Sequence, residues 1–180
     1  MVRCFVGYLI PEHLKSKITA LQQEISMWPL RCKFVEQENL HLNFSFLGEV
    51  DENEVNNIKL KMDCIASESA KFDVFIGGVR AIPNENYIRV LALDIGCDSG
   101  DMNNLIQRIG DEIGGDAKPA HLTLCRVKSV LDKPTVRKNI ENIENEHYGS
   151  FTVDSIQLIK SELRGSGPVY SVVSQSDFIG

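Results

Sequence analysis

One short pattern occurs twice in the chain, and it constrains the fold more than any other feature. The segments HLNFSFL, at residues 41–47, and HLTLCRV, at residues 121–127, begin 80 residues apart. Over its first four positions each segment alternates a polar with an apolar residue, which is typical of a half-buried β-strand. The repeat predicts two similar halves. Because 180 residues is the size of one ordinary domain, we expect residues 1–180 to form a single bilobal domain with an internal repeat.

The other hydrophobic patterns predict four helices among paired strands. Apolar residues recur at helical spacing in four segments, which begin near Pro11, Val55, Met102 and Val136. Strand-like runs occupy residues 3–9, 31–35, 40–50, 72–82, 87–95, 120–130, 151–163 and 169–178. Turn residues at 83–86 predict a hairpin, and Ser99 is the predicted N-cap of the third helix. Since helices and strands do not alternate regularly, we expect an α+β fold with antiparallel sheets around a groove.

The repeats place their histidines on polar strand faces. Because side chains alternate faces along a strand, each repeat puts three on its polar face, namely His41, Asn43 and Ser45 in the first and His121, Thr123 and Cys125 in the second. If the two strands lie side by side, two imidazoles and two hydrogen-bond donors surround one cleft. Attack on phosphorus needs a base for the proton of water and an acid for the departing oxygen, and histidine serves as either near neutral pH. The pattern therefore suits cleavage of a phosphate ester.

Composition excludes several classes of protein. Hydrophobic residues make up 43% of the chain, too many for a disordered protein, and no apolar run approaches the ~20 residues of a membrane span. The net charge of −6 disfavours non-specific binding to nucleic acid, so any attraction for phosphate must be local. Four cations are candidates for such a basic rim, namely Arg80, Lys118, Lys128 and Arg164.

Cysteines and histidines form neither a disulfide nor a metal pattern. The five cysteines are an odd number without a C-x-x-C pair, which argues against a disulfide framework and a zinc knuckle. No H-x-H, H-E-x-x-H or clustered carboxylate set occurs, so a metal-dependent phosphodiesterase is the weaker interpretation. We expect no signal peptide before the first strand, and hence a cytoplasmic protein. The remaining histidines, His13 and His147, are expected to be solvated.

With these residues in place, the chain resembles a known family. The two histidine segments resemble the H-x-[ST]-x elements of the two-histidine (2H) phosphoesterase superfamily, and most closely its RNA 2',3'-cyclic phosphodiesterase family, also called 2'-5' RNA ligases. Matching stretches extend over nearly the whole chain, namely RCFVG at 3–7, the surroundings of the first histidine at 39–50, GVRAIP at 78–83, PAHLTLCRVK at 119–128, IKSEL at 159–163 and GPVYS at 167–171. Two such elements with these flanks are a specific signal.

The resemblance implies a bilobal fold and a reaction. The expected activity is hydrolysis of RNA 2',3'-cyclic phosphate ends to 2'-phosphomonoesters without a metal or other cofactor, together with joining of RNA ends through a 2'-5' linkage. The expected substrates are RNA ends, including tRNA-derived ones, or cyclic nucleotides. No membrane or protein partner is implied, and the protein is expected to be a monomer.

The resemblance also assigns roles to residues. His41 would protonate the departing 3' oxygen, and His121 would activate the water. Thr123 and Arg126 match the second element and would hold the phosphate, whereas Asn43 stands where the family has Thr or Ser. By strict alternation Arg126 belongs to the opposite face from His121, so it reaches the phosphate only if the strand ends, twists or bulges after Cys125.

Several alternatives remain open at this point. Asn43 could make the chain a non-catalytic protein that binds RNA ends, or the two histidines could serve RNA joining or internal scission instead of end hydrolysis. Tyr170 could stack on a base in the substrate groove or simply pack at the sheet edge. The segment Gly165-Ser166-Gly167 could cradle phosphate with backbone amides or serve only as a hairpin connection.

Overall fold

The computed structural model describes residues 1–165 and 167–180. The strands are β1 Val2–Leu9, β2 Leu30–Phe34, β3 His41–Val50, β4 Phe72–Asn84, β5 Tyr87–Gly96, β6 Asp116–Ala117, β7 His121–Val130, β8 Gly149–Val153, β9 Ser155–Arg164 and β10 Gly167–Asp177. The α-helices are α1 Glu12–Ser26, α2 Val55–Ser67, α3 Asp101–Glu112 and α4 Lys133–Ile143, with 3-10 turns at Gln37–Asn39 and Glu52–Glu54. The expected α+β class is confirmed.

The strands form two antiparallel sheets of five. One sheet has the order β10-β9-β1-β3-β6, and the other has the order β2-β7-β5-β4-β8. Each sheet contains one histidine strand, β3 in the first and β7 in the second, and these two strands contact each other. The chain is therefore bilobal, as expected, and both histidine strands border the junction between the lobes.

The two halves share an order of elements. The succession β1-α1-β2-β3-α2 in the first half corresponds to β5-α3-β6-β7-α4 in the second. In both halves the short strand crosses to the other lobe, because β2 pairs with β7 and β6 pairs with β3. We interpret this correspondence as two copies of one folding unit that exchange their short strands.

Buried apolar stripes on the helices close the core. On α1 the predicted stripe is buried, and the equivalent stripes of the other three helices are buried with it in one continuous cluster, which includes Leu14, Ile18, Ile58, Met62, Leu105, Ile109, Val136 and Ile140. The helices cover the apolar faces of the sheets, so the opposite sheet faces remain available to line a groove.

The structure differs from the sequence-based expectation in three places. Residues 151–163 are not one strand, because the chain leaves one sheet at the end of β8 and enters the other at β9. Between them the Asp154 carboxylate accepts hydrogen bonds from the Tyr8 hydroxyl at 3.1 Å and the Ser155 hydroxyl at 3.2 Å. The N-cap of α3 is Gly100, at φ +77°, rather than Ser99. The two-residue β6 was not expected, since two residues are too short to carry a pattern.

Candidate active site

His41 begins β3 inside an aromatic enclosure. Its ring centroid lies 4.7 Å from that of Phe5 and 5.1 Å from that of Tyr170, which meets it edge to face. Its Nδ1 is 2.7 Å from the carbonyl oxygen of Asn39. Burial lowers the pKa of His41 below its ordinary value, the hydrogen bond to Asn39 opposes this, and the nearby His121 and Arg126 lower the pKa further.

His121 begins β7 in a more polar setting. Its Nδ1 lies 3.3 Å from the carbonyl oxygen of Pro119, and Asp94 stands opposite it on β5. The Asp94 carboxylate is paired with Arg80 at 2.6 Å. Burial is again the largest cause that lowers the pKa of this histidine, the hydrogen bond to Pro119 raises it, and Arg80 lowers it.

The two histidines are held in the same way. Each Nδ1 bonds the carbonyl of the residue two positions earlier in the chain. A carbonyl oxygen only accepts, so Nδ1 carries the proton in both rings and Nε2 is left for the groove. A neutral ring can therefore take a proton at Nε2, and a charged ring can donate one from the same atom.

Both histidine strands contain a bulge three residues after the histidine. In β3 the register against β1 runs from Gly7 opposite Asn43 to Val6 opposite Ser45, which leaves Phe44 as the extra residue. In β7 the register against β5 leaves Leu124 extra in the same way, between Thr123 and Cys125. A bulge inserts one residue and reverses the alternation beyond it.

The bulges correct three sequence-based expectations. Arg126 returns to the face of His121 and Thr123, because the extra residue precedes Cys125 rather than follows it. Ser45 and Cys125 are fully buried and do not line the groove; the Ser45 hydroxyl donates to the Gly114 carbonyl at 2.7 Å. Burial raises the pKa of the Cys125 thiol, which argues against a thiolate nucleophile at this position.

Gln22 hydrogen-bonds the extra residue of β7. It lies on α1 and is 7% exposed, and its side-chain amide donates to the carbonyl oxygen of Leu124 at 3.0 Å and to that of Val35 at 2.9 Å. The backbone N–H of Val35 donates to the same Leu124 oxygen at 3.0 Å. The carbonyl of the extra residue is thereby satisfied from β2 and from α1, so it is not an unpaired buried acceptor.

Asn43 and Thr123 are half-buried on the groove face of their strands. Each faces a small residue on the neighbouring strand, Gly7 opposite Asn43 and Ala92 opposite Thr123. A Cβ at Gly7 would clash with the Leu42 carbonyl oxygen, so this position requires glycine. The Oδ1 of Asn43 is buried without a hydrogen-bond partner among the described residues, and Nδ2 is therefore the atom that can face the groove.

Tyr170 joins the site from β10. Its ring also meets that of Phe5 edge to face at 5.1 Å, so the three rings of Phe5, His41 and Tyr170 pack together. Burial raises the pKa of the Tyr170 hydroxyl, which stays a neutral donor. Tyr170 is thus beside His41, as the substrate-groove expectation requires.

Asn39 is a site residue that the sequence analysis did not single out. It is 2% exposed, its carbonyl accepts from His41, and its side-chain amide donates to the Pro168 carbonyl oxygen at 2.7 Å. It therefore ties the start of β10, which carries Tyr170, to the residue that orients His41. A polar residue directly before the strand-like run 40–50 and two residues before a histidine is the sequence signal that could have found it.

The expected basic rim is mostly neutralised by ion pairs. Arg80 pairs with Asp94, Lys118 with Asp116, and Arg164 with Glu162 at 3.4 Å. Of the four cations expected there, Lys128 is exposed and has no acidic partner within the described residues. Gly165-Ser166-Gly167 includes position 166, so the expected phosphate cradle lies outside the described residues.

Neither a metal-binding cluster nor a membrane-spanning helix occurs among the described residues. No group of three or more His, Cys, Asp or Glu side chains lies close enough together to hold a metal ion in residues 1–165 and 167–180. None of the described helices is both long enough and apolar enough to cross a membrane. His13 and His147 are exposed, as expected.

Comparison with known proteins agrees with the geometry. The family described as LigT-like phosphoesterase matches residues 9–92. An RNA 2',3'-cyclic phosphodiesterase of Methanocaldococcus jannaschii is 34% identical over 97% of this chain and 99% of the relative. One of Methanothermobacter thermautotrophicus is 30% identical over 94% of this chain and 95% of the relative.

Solved structures support the fold. A crystal structure of a protein of Thermus thermophilus superposes with a TM-score of 0.80 and 22% identity, covering 98% of this chain and 97% of the other. The resemblance to two-histidine phosphoesterases is confirmed by the family match and by the two relatives at 34% and 30% identity. The chain belongs to the RNA 2',3'-cyclic phosphodiesterase family of LigT-like phosphoesterases.

Proposed function

We propose that this protein hydrolyses 2',3'-cyclic phosphate ends of RNA to 2'-phosphomonoesters by acid–base catalysis with His41 and His121. The observation that carries the proposal is the matched pair of half-buried imidazoles on contacting strands, each with Nδ1 bound to a carbonyl and Nε2 left for the groove. Naming of the curated relatives as RNA 2',3'-cyclic phosphodiesterases supports the same substrate class.

In the proposed step each histidine handles one proton. Nε2 of neutral His121 takes a proton from water as the water oxygen forms a bond to phosphorus. The bond between phosphorus and O3' breaks, and Nε2 of protonated His41 gives its proton to O3'. The product has a free 3' hydroxyl and a 2'-phosphate. With a 5' hydroxyl in place of water, the same step forms a 2'-5' linkage.

Three hydrogen-bond donors would stabilise the negative charge on the phosphate. Nδ2 of Asn43, the hydroxyl of Thr123 and the guanidinium of Arg126 share the groove face with the histidines and would donate to the non-bridging oxygens. Stabilisation of charge at such oxygens is commonly the largest single catalytic contribution. Tyr170, beside His41, would stack on the terminal base, a contact typically contributing about 1–3 kcal/mol.

The remaining assignments follow from the same proposal. We infer a monomer of one domain, residues 1–180, that acts in the cytoplasm on RNA ends, including tRNA-derived ends, or on cyclic nucleotides. Neither a cofactor nor a metal enters the proposed step, because the two imidazoles supply both proton transfers and the three donors supply the charge stabilisation.

The pH–rate profile should be bell-shaped, and its optimum should lie at a different pH for kcat/KM than for kcat. In the free protein the pKa values of both histidines lie below their ordinary value. His121 must be neutral and His41 protonated, so kcat/KM should have its optimum on the acid side of about pH 6.5. A bound phosphate anion raises both pKa values, so the kcat optimum should lie at higher pH. Steady-state rates measured across pH test this; a kcat/KM that rises steadily into the alkaline range contradicts it.

A second candidate function is non-catalytic binding of RNA ends. The observation that favours it is Asn43 with its buried, unpartnered Oδ1, because this residue stands where the family has a hydroxyl. A chain that binds 2'-phosphate ends tightly without turning over cyclic ends would have this function.

Variants of Asn43 discriminate the two candidates. If the amide donates to phosphate, Asn43→Ala should lose about 1.5–3 kcal/mol, a ten- to hundredfold loss of kcat/KM, because the lost bond is to a charged group. Asn43→Thr should stay within about tenfold of the natural protein, since a hydroxyl replaces the donor. An inactive natural protein that gains turnover in Asn43→Thr would favour the binding function.

A further inference from the structure

Four exposed cations continue from the active site along one side of the second lobe. We call Arg31, Lys33, Arg126 and Lys128 the basic strip; they lie on the edge strand β2 and its neighbour β7. Lys33 stands opposite Arg126 in the ladder, and Arg31 stands opposite Ser129. Directly opposed residues share a face, so Lys33 lies on the groove side with Arg126.

The basic strip lies in line with the catalytic residues. Along β7 the order is His121, Thr123 and Arg126, and the antiparallel β2 brings Lys33 and then Arg31 alongside. Lys128 follows Arg126 as the extra residue of a second bulge, between Val127 opposite Cys32 and Ser129 opposite Arg31. At about 3.3 Å per residue, β7 from His121 to Ser129 extends at most roughly 26 Å, and its two bulges shorten it. This length accommodates several nucleotides beyond a terminal phosphate held between the histidines.

The cations of the basic strip are largely free of acidic partners. Among the residues that the structure describes, Arg31, Arg126 and Lys128 form no ion pair, and Lys33 has one contact, with Glu36 at 3.7 Å. Unpaired cations are unexpected in such a row when the chain as a whole carries a net charge of −6. Repulsion within the row is offset when a polyanion lies along it.

Other directions away from the histidines offer no such row. Beyond Asp94 a cavity of about 680 Å³ is lined by Glu85 and Glu144, and its arginines Arg80 and Arg137 are both ion-paired. At the β9–β10 hairpin, Lys160 and Arg164 share the carboxylate of Glu162. A polyanion that enters the groove therefore meets a row of largely unpaired positive charge along β2 and β7. Within residues 1–165 and 167–180, Arg3 on β1 is a further exposed cation without an ion pair, and it lies near Tyr170.

We propose that the basic strip binds the phosphate backbone of single-stranded RNA immediately upstream of the terminal cyclic phosphate. The inference rests on the proposed function for the identity of the end that enters the groove. It implies that the preferred substrate is an oligonucleotide rather than a cyclic mononucleotide, because only an oligonucleotide has phosphates that reach Lys33, Lys128 and Arg31.

Charge reversal at the far end of the strip tests the proposal. The probe is a fluorescein-labelled single-stranded RNA of about ten nucleotides that ends in a 2'-phosphate, so that binding is measured without turnover. In Arg31→Glu/Lys128→Glu we expect the Kd to rise at least about tenfold at low salt. The slope of log Kd against log salt should fall by about 1.4, because each lost phosphate contact on a single strand contributes about 0.7.

A matched control separates local from global charge. Lys59→Glu/Lys138→Glu makes the same change of net charge at exposed positions on α2 and α4, and its Kd should stay within about twofold of the natural protein. Arg31→Gln/Lys128→Gln removes the positive charges without adding negative ones, so its Kd should also rise, but by less than in Arg31→Glu/Lys128→Glu. Circular dichroism checks that each variant is folded.

Three outcomes would overturn the basic strip as an RNA site. The first is an equal rise in Kd for Lys59→Glu/Lys138→Glu. The second is an unchanged Kd for Arg31→Glu/Lys128→Glu. The third is that Arg31→Glu/Lys128→Glu loses kcat/KM equally for a cyclic-ended oligonucleotide and for a 2',3'-cyclic mononucleotide. An acidic protein as the true partner of the strip would give the second of these. Hydrolysis of the cyclic mononucleotide by the natural protein tests the proposed function independently, so failure of one proposal is distinguishable from failure of the other.

Discussion

Replacement of either His41 or His121 by alanine should lower kcat for a cyclic-ended RNA by about 10²–10⁴-fold, the usual contribution of one positioned acid or base. The physical reason is that each imidazole transfers one proton in the same step, and neither histidine can take over the proton transfer of the other. Because the two act as a unit, His41→Ala/His121→Ala should be little slower than the slower single variant. Initial rates with purified variants under saturating substrate measure the effect.

The chain provides its own controls for this prediction. His13→Ala and His147→Ala remove exposed histidines outside the groove and should leave kcat within about twofold. Full activity in either His41→Ala or His121→Ala would contradict the proposed mechanism, as would an equal loss in the two control variants.

Arg126→Ala should lower kcat/KM by about 10²–10³-fold, comparable to removal of one preorganised donor to a developing charge. Arg126 forms no ion pair within the described residues and lies near both histidines, as its effects on their pKa values indicate. Arg126→Lys should recover part of the loss, because it keeps the charge and loses the planar fork that binds two phosphate oxygens at once.

The control for Arg126 is Arg89, which is exposed, stands over the ring of Tyr87 and lies outside the groove. Arg89→Ala should leave kcat/KM within about twofold. If Arg126→Ala behaved in the same way, Arg126 would be a solvated surface charge and not a phosphate ligand. Removal of Arg126 should also raise the pKa of both histidines, since its charge lowers them; NMR titration of the rings in the free protein measures that shift.

The sequence predicted the histidine strands because alternation holds over their first residues. His41 and His121 begin two strands that contact each other, and Asn43 and Thr123 follow two residues later on each strand. That these four side chains line one substrate groove stays a prediction. The helices were predictable for a similar reason, since their apolar stripes have the helical period and are buried.

Strict alternation of side-chain faces predicted the wrong face beyond the bulges, because a bulge depends on how the strands pair and not on the local sequence. Nothing in the local pattern indicates that Leu124 is an extra residue, because the bulge is defined by the register of β7 against β5, a strand distant in the chain. Arg126 therefore reached the groove by a route that strand parity alone excluded. The expected placement of Ser45 and Cys125 on the polar faces with the histidines was wrong for the same reason.

Contacts between distant segments were also beyond the sequence. Asn39 gains its importance from a hydrogen bond to Pro168, and the aromatic enclosure of His41 combines Phe5 from β1 with Tyr170 from β10. Ion pairing of Arg80 with Asp94 removed one cation from the expected basic rim, while the pairing of β2 with β7 supplied Lys33. Such arrangements depend on sheet order, which composition and periodicity do not determine.

The most direct test of the central claim is the identity of the product end. Pure protein would be incubated with an RNA oligonucleotide that ends in a 2',3'-cyclic phosphate, in the presence of EDTA and without ATP, and the terminal phosphate of the product would be located by NMR or mass spectrometry after selective digestion. The two-histidine mechanism predicts a 2'-phosphate and a free 3' hydroxyl, at a rate that EDTA does not lower. A 3'-phosphate, or activity that EDTA abolishes and a divalent cation restores, would contradict it.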